Sequence, residues 1–487
     1  MRVLTLCGSI RAHTSQHDAV MELAHTKGPI SEFIRKGKSL VCAGLTLSNS
    51  EILAAATMKG VYSKGADIDY FPLVVLFHHK ESSVLDIRCR LRKESAVDEL
   101  AYLDTLTIVE EKLEGLYTKI AKADGVILST PVYFGDRSSV ANKFFQITAR
   151  KSLLQNKIFG VASVGAKRNG GQETYNIYSM IETLNQGALV VGNGPPTSQY
   201  GGTAVGENQG DVLEDELGLD TAFGVGIKVA HVSEMYSKEK HPTSQIRIRV
   251  DILVTMDTSG RFLAKYLKDL TSRVAKIIPW VEFVIHELID STISRCLGCT
   301  ICPVPPKGSD KTTKCTIKDP EDCLEKLRIS LRGSDCAIIA GLNILDYEKI
   351  IFRYQVLTER MRYIRRSNFE LTDLLITGLC YNQFGATMNS IHSIKTLTSY
   401  IRHNTTFYKP IDIFEYKGRI LNDGKTSLLE LCKAARRMKA GKQGIPRPES
   451  PYVAYGYSGE PAKKIVARQK GGCVIIKRQK RMPVVLL

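Results

Sequence analysis

A short apolar run that ends in a loop bounded by proline and glycine constrains this chain more than any other stretch. Residues 125–128 are Gly-Val-Ile-Leu, and residues 130–135 are Thr-Pro-Val-Tyr-Phe-Gly. The run is typical of a strand buried on both faces of a parallel sheet. Pro131 has a fixed φ and no N–H, and Gly135 permits a tight turn. The pattern predicts two aromatic rings at the carboxyl end of a strand, where open α/β sheets bind ligands. A core strand whose loop aromatics only pack is the alternative.

Length and composition indicate a globular chain of several domains. With 487 residues the chain is too long for one core, which predicts two or three domains. Its 43% hydrophobic and 24% charged residues are typical of soluble proteins, and no apolar stretch has the length of a membrane span. The apolar part of the N-terminus is too short for a signal peptide. Together with twelve cysteines, this predicts a reducing compartment and a cytoplasmic location.

The positive charge is concentrated at the C-terminal end. Residues 433–487 contain fourteen Lys or Arg and two Glu, which is +12 of the net charge of +17. A basic surface over the whole fold, as in a dedicated nucleic-acid binder, is therefore not predicted. We expect a basic tail that either docks on a neighbouring subunit or an acidic partner, or is disordered. The Arg-rich segment 347–366 either faces an acidic partner or is a solvated helix face.

Residues 123–135 resemble the flavin-binding segment of the NAD(P)H-dependent FMN reductase and multimeric-flavodoxin family, which includes quinone reductases and the iron–sulfur flavoproteins. The resemblance implies FMN, with its isoalloxazine ring along the loop after the strand. The residues that it assigns to the ring are Thr130, Pro131, Val132, Tyr133, Phe134 and Gly135. It also implies a flavodoxin-like parallel sheet, NAD(P)H as a co-substrate and a homo-oligomer.

Two segments are candidates for binding the FMN phosphate. The family begins its phosphate loop with Gly-Ser-x-Arg after the first strand, and residues 8–11 have this sequence. A later segment resembles the opening of the family's first helix, so 12–46 is predicted to be an insertion. The candidate ligands are Ser9, Arg11, Ser48, Asn49 and Ser50. Two alternatives stay open: Ser48 only forms a capping box with Glu51, and Arg11 is only solvated.

The loop after a strand predicted at 157–163 is a candidate for holding the pyrimidine edge and ribityl chain of the flavin. Its glycine pair allows backbone to approach a ligand without interference from Cβ, and a plain glycine-rich turn is the alternative. A later segment resembles the family's last loop, in which Tyr200 would stand by the flavin, either in the same chain or from a neighbouring subunit. The residues assigned by the resemblance are Ser163, Val164, Gly165, Gly170, Gly171, Gln172, Glu173, Tyr200, Gly201 and Gly202.

The strand pattern recurs after a linker predicted at 237–247. Strands are predicted, in order, at 248–255, 281–288, 335–340, 374–380 and 411–416. The ligand loops of this second copy differ, because 341–346 replaces Thr-Pro-Val-Tyr-Phe-Gly and 256–260 lacks Gly-Ser-x-Arg. A second flavin is therefore not expected. The predicted architecture is two tandem flavodoxin-like, doubly wound parallel-sheet α/β domains at 1–236 and 248–432, followed by the basic tail at 433–487.

Four cysteines of the second copy are candidate metal ligands: Cys296, Cys299, Cys302 and Cys315. The first three have Cys-x2-Cys-x2-Cys spacing, and a [4Fe–4S] cluster takes one thiolate at each iron. The spacing resembles the cysteine motif of iron–sulfur flavoproteins, although the gap before the fourth cysteine is longer and rich in Pro and Lys. A structural zinc site or free thiols are the alternatives.

The resemblance, carried by these motifs, implies an FMN-dependent oxidoreductase. It would pass electrons from NAD(P)H or another reductant to a small-molecule or protein acceptor, with the cysteine cluster as a candidate relay. Tyr133 and Glu173 are candidates for flavin contact, and no acid or base residue stands out. The alternatives are an electron-transfer module that serves a dedicated partner without turnover of its own, and a flavin-bound structural protein.

Overall fold

The computed structural model describes most of the chain. The described residues are 1–12, 14–76, 110–239, 242, 245–299, 302, 315–343, 347–366, 369–382 and 391–445. Predictions that fall on 77–109, on 303–314 and on 446–487 lie outside the described residues. These include the Pro- and Lys-rich gap before Cys315 and most of the basic tail.

The N-terminal half is a parallel sheet with helices on both faces. Its elements are β1 (Arg2–Cys7), α1 (His17–Ala24), α2 (Ile30–Cys42), α3 (Asn49–Tyr62), β2 (Asp67–Pro72), α4 (Glu110–Lys122), β3 (Gly125–Tyr133), β4 (Asp136–Arg137), α5 (Ser139–Lys151), β5 (Ile158–Gly165), α6 (Gln172–Asn185), β6 (Leu189–Val191), β7 (Gly202–Val205) and α7 (Glu216–Lys238). The strand order is β2-β1-β3-β5, and β6 and β7 both pair with β5 in parallel. This is the flavodoxin-like order, with the fifth strand in two pieces.

The C-terminal half repeats this strand order. Its elements are β8 (Ile248–Met256), α8 (Phe262–Ile277), β9 (Val281–Glu287), α9 (Leu324–Arg332), β10 (Cys336–Asn343), α10 (Tyr347–Arg360), α11 (Arg362–Arg366), β11 (Leu375–Asn382), α12 (Ile391–Tyr400), β12 (Thr406–Phe407), β13 (Ile411–Tyr416), β14 (Arg419–Asn422) and α13 (Lys425–Lys442). The order is β9-β8-β10-β11, and β12 and β13 both pair with β11. The fifth strand is again in two pieces.

The two halves share one continuous sheet. β6 and β12 pair antiparallel, with Val191 opposite Thr406 and Val190 opposite Phe407. We call this strand pair the seam. The apolar cores also cross it, because one core contains both Phe159 and Ile376. Strands buried on both faces explain why the strand sequences are nearly continuous apolar runs.

The structure defines several boundaries. α7 begins at Glu216, because the Asp215 carboxylate accepts the Gly218 N–H at 3.1 Å and caps the helix. The basic tail does not begin at 433, because α13 runs to Lys442. The predicted insertion at 12–46 contains α1 and α2. Within the described residues, no helix has both the length and the apolar character needed to cross a bilayer.

Candidate functional site

The predicted phosphate loop and the start of α3 meet at the carboxyl edge of the sheet. The Gly8 N–H donates to the Ser129 carbonyl oxygen at 2.8 Å, and Ser129 Oγ donates to the Ser50 carbonyl oxygen at 2.9 Å. Ser129 therefore joins the end of β1 to the first turn of α3, although two inserted helices separate them in sequence. The ends of that insertion are close, because Gln16 Nε2 donates to Thr46 Oγ1 at 2.6 Å.

Backbone donors at this edge are available for an anion. Ser9 Oγ accepts the Arg11 N–H at 3.1 Å. Within the part of the chain that the structure describes, no hydrogen-bond acceptor faces the N–H groups of Ser9 and Ile10. The Arg11 side chain is exposed and forms no ion pair with a described residue. The loop can therefore offer two N–H groups and one guanidinium to a phosphate.

The side chains at the start of α3 have structural partners. Ser48 and Glu51 form a reciprocal capping box, in which the Ser48 N–H donates to Glu51 Oε2 at 2.8 Å. Asn49 Oδ1 accepts the N–H groups of Gly210 and Val212. What remains for an anion is the backbone, because the Asn49 and Ser50 N–H groups have no described acceptor. For the Ser48 side chain, the capping alternative describes the geometry.

The Thr-Pro-Val-Tyr-Phe-Gly segment is a β-hairpin. β3 extends to Tyr133, where it pairs with Asp136 of β4 across a turn made by Phe134 and Gly135. Both turn residues have positive φ, 52° and 78°, as a two-residue hairpin turn requires. Thr130 is buried and Pro131 and Val132 are half-buried, whereas Tyr133 and Phe134 are exposed, the latter completely. The hairpin thus presents two rings at the sheet edge, as the sequence predicts.

The glycine-rich loop after β5 contacts this hairpin. Gly171 has a φ of 96°, and a Cβ at this position would lie 2.7 Å from Gly135 Cα. Thr130 and Pro131 pair with Ser163 and Val164 in the β3–β5 ladder. The structure therefore brings the two predicted flavin loops together, with a close backbone approach that a side chain at position 171 would prevent.

Gln172 braces the glycine-rich loop from inside. It is buried, its Nε2 donates to the carbonyl oxygens of Lys167 and Ala204, and its Oε1 accepts the Gly170 N–H. Gly165 packs against this side chain at the end of β5. Glu173 is exposed at the start of α6. Gln172 is thus a positioning residue, whereas Glu173 faces solvent.

Sequence reasoning missed an ion pair that holds the same loop. Arg168 Nη2 donates to Asp215 Oδ1 at 2.5 Å, and Asp215 Oδ2 accepts the Val205 N–H at 2.8 Å. The Asp215 carboxylate therefore ties the glycine-rich loop to β7 and to the α7 cap. The available signal was an acidic residue directly before a helix, which is typical of an N-cap.

The structure places Tyr200 at the contact between the two halves. Its ring faces the Arg402 guanidinium of the C-terminal half, 5.7 Å from ring centroid to carbon. Gly201 has a φ of 120°, and Gly202 pairs with Ala162 at the start of β7. Flavin contact by Tyr200, Gly201 and Gly202 stays a prediction.

The equivalent anion position in the C-terminal half is occupied by a carboxylate of the chain. Asp257 directly follows β8 and is buried. Its Oδ1 accepts the Leu263 N–H at 2.8 Å, and its Oδ2 accepts the Ala264 N–H at 2.9 Å. These N–H groups belong to the first turn of α8, where a phosphate would otherwise bind. These two N–H groups are therefore already paired within the chain, and the absence of a second flavin stays a prediction.

The four candidate cysteines share one neighbourhood. Burial raises the pKa of Cys302, and repulsion between its thiolate and those of the other three cysteines raises it further. Cys299 Sγ lies 3.6 Å from Thr316 Oγ1, next to Cys315. Ser294 joins the two segments, because its N–H donates to Asp322 and its Oγ donates to Asp319, both at 3.2 Å.

These thiols are the donors that an iron–sulfur cluster requires, but they are not assembled as a closed site. Among the described residues, no three His, Cys, Asp or Glu side chains are close enough to hold a metal ion. The donor chemistry fits a cluster, and occupancy by a cluster, by zinc or by nothing stays a prediction.

Comparison with known proteins gives consistent matches. The model of the family described as NADPH-dependent FMN reductase matches residues 40–199. This range includes the hairpin and the glycine-rich loop and excludes β1 and Ser9.

Three named relatives match over 133 to 195 residues. An iron–sulfur flavoprotein of Methanocaldococcus jannaschii is 33% identical over 195 residues, which are 39% of this chain and 93% of that protein. An iron–sulfur flavoprotein of Methanosarcina thermophila is 30% identical over 138 residues, 27% of this chain and 68% of that protein. An NAD(P)H dehydrogenase (quinone) of Geotalea uraniireducens is 29% identical over 133 residues, 24% of this chain and 64% of that protein.

Proposed function

Because the chain belongs to the NADPH-dependent FMN reductase family, we propose that it is an FMN-dependent oxidoreductase whose flavin lies in the N-terminal half. Its electrons come from NAD(P)H or another reductant and go to a small-molecule or protein acceptor. The chemistry supplied by bound FMN is the acceptance of a hydride or single electrons and their transfer onward. The residues of the chain bind and orient the flavin.

The observation that carries this proposal is the convergence of three loops at one sheet edge. The Ser9 and Ile10 N–H groups have no described acceptor, and Arg11 adds a positive charge beside them. The exposed Tyr133 and Phe134 rings lie on the neighbouring hairpin. One side of the edge therefore suits a phosphate and the other suits a planar ring, which are the two ends of FMN.

The Gly171 contact supports the position of the ring. The backbone of the glycine-rich loop packs against Gly135 with no room for a Cβ between them, and Gln172 and the Arg168–Asp215 ion pair brace this loop. A braced loop binds a rigid ligand with little loss of conformational entropy. Residues 163–173 are therefore proposed to hold the polar edge of the flavin.

The cysteine cluster is proposed to hold [4Fe–4S]. Support comes from the chemistry of four neighbouring thiols and from two relatives whose names contain iron–sulfur. When bound, a cluster would supply one-electron transfer. Ser294, Asp319 and Asp322 would hold the two cysteine segments in register.

The phosphate site is tested by comparing FMN with riboflavin, which lacks the phosphate. We expect Arg11→Gln to weaken FMN binding about tenfold, which is about 1.4 kcal/mol, and to leave riboflavin binding unchanged. Arg150→Gln, an exposed arginine at the end of α5, is the matched control and should alter neither affinity. Flavin fluorescence titration of the apoprotein measures both. A protein that takes up no FMN offered in excess would contradict the proposal.

Turnover separates an oxidoreductase from a relay. The purified protein should oxidise NADPH or NADH repeatedly when a quinone is supplied, because an enzyme needs no dedicated partner. Stoichiometric flavin reduction without multiple turnovers would favour the electron-transfer alternative.

The cluster is tested by metal analysis of anaerobically purified protein. We expect about four irons per chain and a loss of iron in Cys302→Ser with flavin retained. Cys323→Ser, a half-buried thiol outside the four, should retain iron. One zinc per chain, or no metal in the wild type, would overturn the iron–sulfur assignment without affecting the flavin result.

A further inference from the structure

A cavity of about 720 Å³ lies beside the cysteine segment, where the two halves of the chain meet. Cys296 and Gly298 form one wall, residues of α10 to α12 form another, and Tyr200 of the N-terminal half completes it. Its volume lies within the range of about 300–1,000 Å³ that is usual for small-molecule and cofactor sites.

The walls of this cavity are strongly basic. Its cationic side chains are Arg362, Arg365, Arg366, Lys395 and Arg402. Glu359 is the one carboxylate among the described lining residues. Neither Arg362 nor Arg402 forms an ion pair with a described carboxylate. Such an excess of positive charge in a concave site attracts a multiply charged anion.

Buried polar atoms in the wall also lack partners. His403 is 5% exposed, and its Nδ1 forms no hydrogen bond with a described residue. The buried Nε of Arg402 has no described partner either. Both atoms are covered by the protein itself, so an anion in the cavity would contact the guanidinium and ammonium ends of the lining side chains and not these two atoms.

We propose that this cavity binds a phosphorylated small molecule of nucleotide size. Arginine forks match phosphate oxygens bidentately, and several cations together suit the charge of a di- or triphosphate better than that of one carboxylate. The Tyr200 ring, with the Arg402 guanidinium over it, offers a flat surface against which a base can stack. The site goes beyond the flavin reaction and does not depend on it.

The proposal is tested by calorimetric titration of the full-length purified protein. The probes are ADP, inorganic pyrophosphate and adenosine. We expect ADP to bind, pyrophosphate to bind more weakly and adenosine not to bind. Equal affinity for ADP and pyrophosphate would overturn the assignment to a nucleotide, because the base would then contribute nothing. Absence of binding by both phosphorylated probes overturns the proposal.

Variants distinguish this cavity from other basic surfaces. Arg362→Gln, whose side chain is exposed, and Arg402→Gln should each weaken ADP binding at least tenfold, and Arg402→Lys should recover part of the loss. Arg419→Gln, an exposed arginine in β14, is the control and should bind like the wild type. Unchanged affinity in Arg362→Gln and Arg402→Gln, with unchanged circular dichroism, overturns the assignment to this cavity.

Discussion

At the scale of single residues, the glycine at position 171 determines how closely two ligand loops approach. Its φ of 96° lies in the region that side-chain-bearing residues rarely adopt, and the Gly135 backbone occupies the space of a Cβ. The contact fixes the distance between the hairpin and the glycine-rich loop. A ligand that contacts both loops therefore requires glycine at position 171, because a Cβ there would push the loops apart.

Gly171→Ala should destabilise the fold and weaken flavin binding. We expect a loss of about 1–3 kcal/mol in the free energy of unfolding, because both the backbone strain and the steric clash are new. Chemical denaturation and flavin titration measure the two effects. Gly115→Ala in α4, where a Cβ meets nothing within 4 Å, should instead stabilise by about 0.5–1 kcal/mol. Equal effects at the two positions would contradict the role of the contact.

Some residues of the site can be predicted from the sequence alone, and others cannot. The hairpin and the glycine-rich loop could be located from residues 130–135 and 170–171, because proline, glycine and aromatic residues have strong local preferences. The Arg168–Asp215 pair could not be, because its partners are distant in sequence and only the folded sheet brings them together. Tyr200 is an intermediate case: its segment was recognised, but its contact with Arg402 depends on how the two halves assemble.

At the scale of elements, the first turn of α8 is capped by the residue that directly follows β8. The Asp257 carboxylate accepts two N–H groups from this turn and the Thr258 N–H at 2.7 Å. In the N-terminal half, the corresponding turn of α3 keeps N–H groups without described acceptors. The absence of Gly-Ser-x-Arg from the second half is evident in the sequence. The capping role of Asp257 is not, because an aspartate after a strand can have many other roles.

Asp257→Ala should therefore destabilise the C-terminal half. Loss of the cap is expected to lower the free energy of unfolding by about 1–2 kcal/mol. Asp257→Asn, which keeps an acceptor oxygen but loses the charge, should lose less. Urea denaturation of the three proteins measures the order. An Asn variant less stable than the Ala variant would be inconsistent with capping.

At the scale of the whole molecule, a buried ion cluster joins α7 of the N-terminal half to Asp373 of the C-terminal half. Asp373 Oδ1 lies 2.7 Å from Lys228 Nζ, and Asp373 Oδ2 lies 3.0 Å from His231 Nε2. Lys442 Nζ donates to the Asp373 carbonyl oxygen at 2.7 Å. Burial by itself raises the pKa of Asp373, but Lys228, His231 and Lys442 outweigh it and hold the pKa well below its usual value.

The depressed pKa of Asp373 has a consequence for acid stability. Its contribution is fully present above the unfolded-state pKa of about 3.9 and is lost as the pH falls below it. Asp373→Asn should lower the free energy of unfolding at pH 7 by about 3–5 kcal/mol, because Lys228 is left buried without a counter-charge. Its stability should also fall less steeply than that of the wild type between pH 5 and pH 3.

Denaturation at several pH values checks this prediction. Asparagine tolerates the φ of 63° at this position, so backbone strain does not confuse the result. Asp290→Asn, which removes an exposed pair with Arg261, should change stability by no more than about 1 kcal/mol. An Asp373 variant with the acid profile of the wild type would be evidence against the cluster.

Because the two halves belong to one chain and share one sheet, every N-terminal half is paired with one C-terminal half. A homodimer, by contrast, dissociates on dilution, and every substitution in its sequence occurs in both subunits. Here the pairing of β6 with β12 is intramolecular, and a change in either half occurs once. The C-terminal half can therefore differ in sequence from the N-terminal half and still extend its sheet.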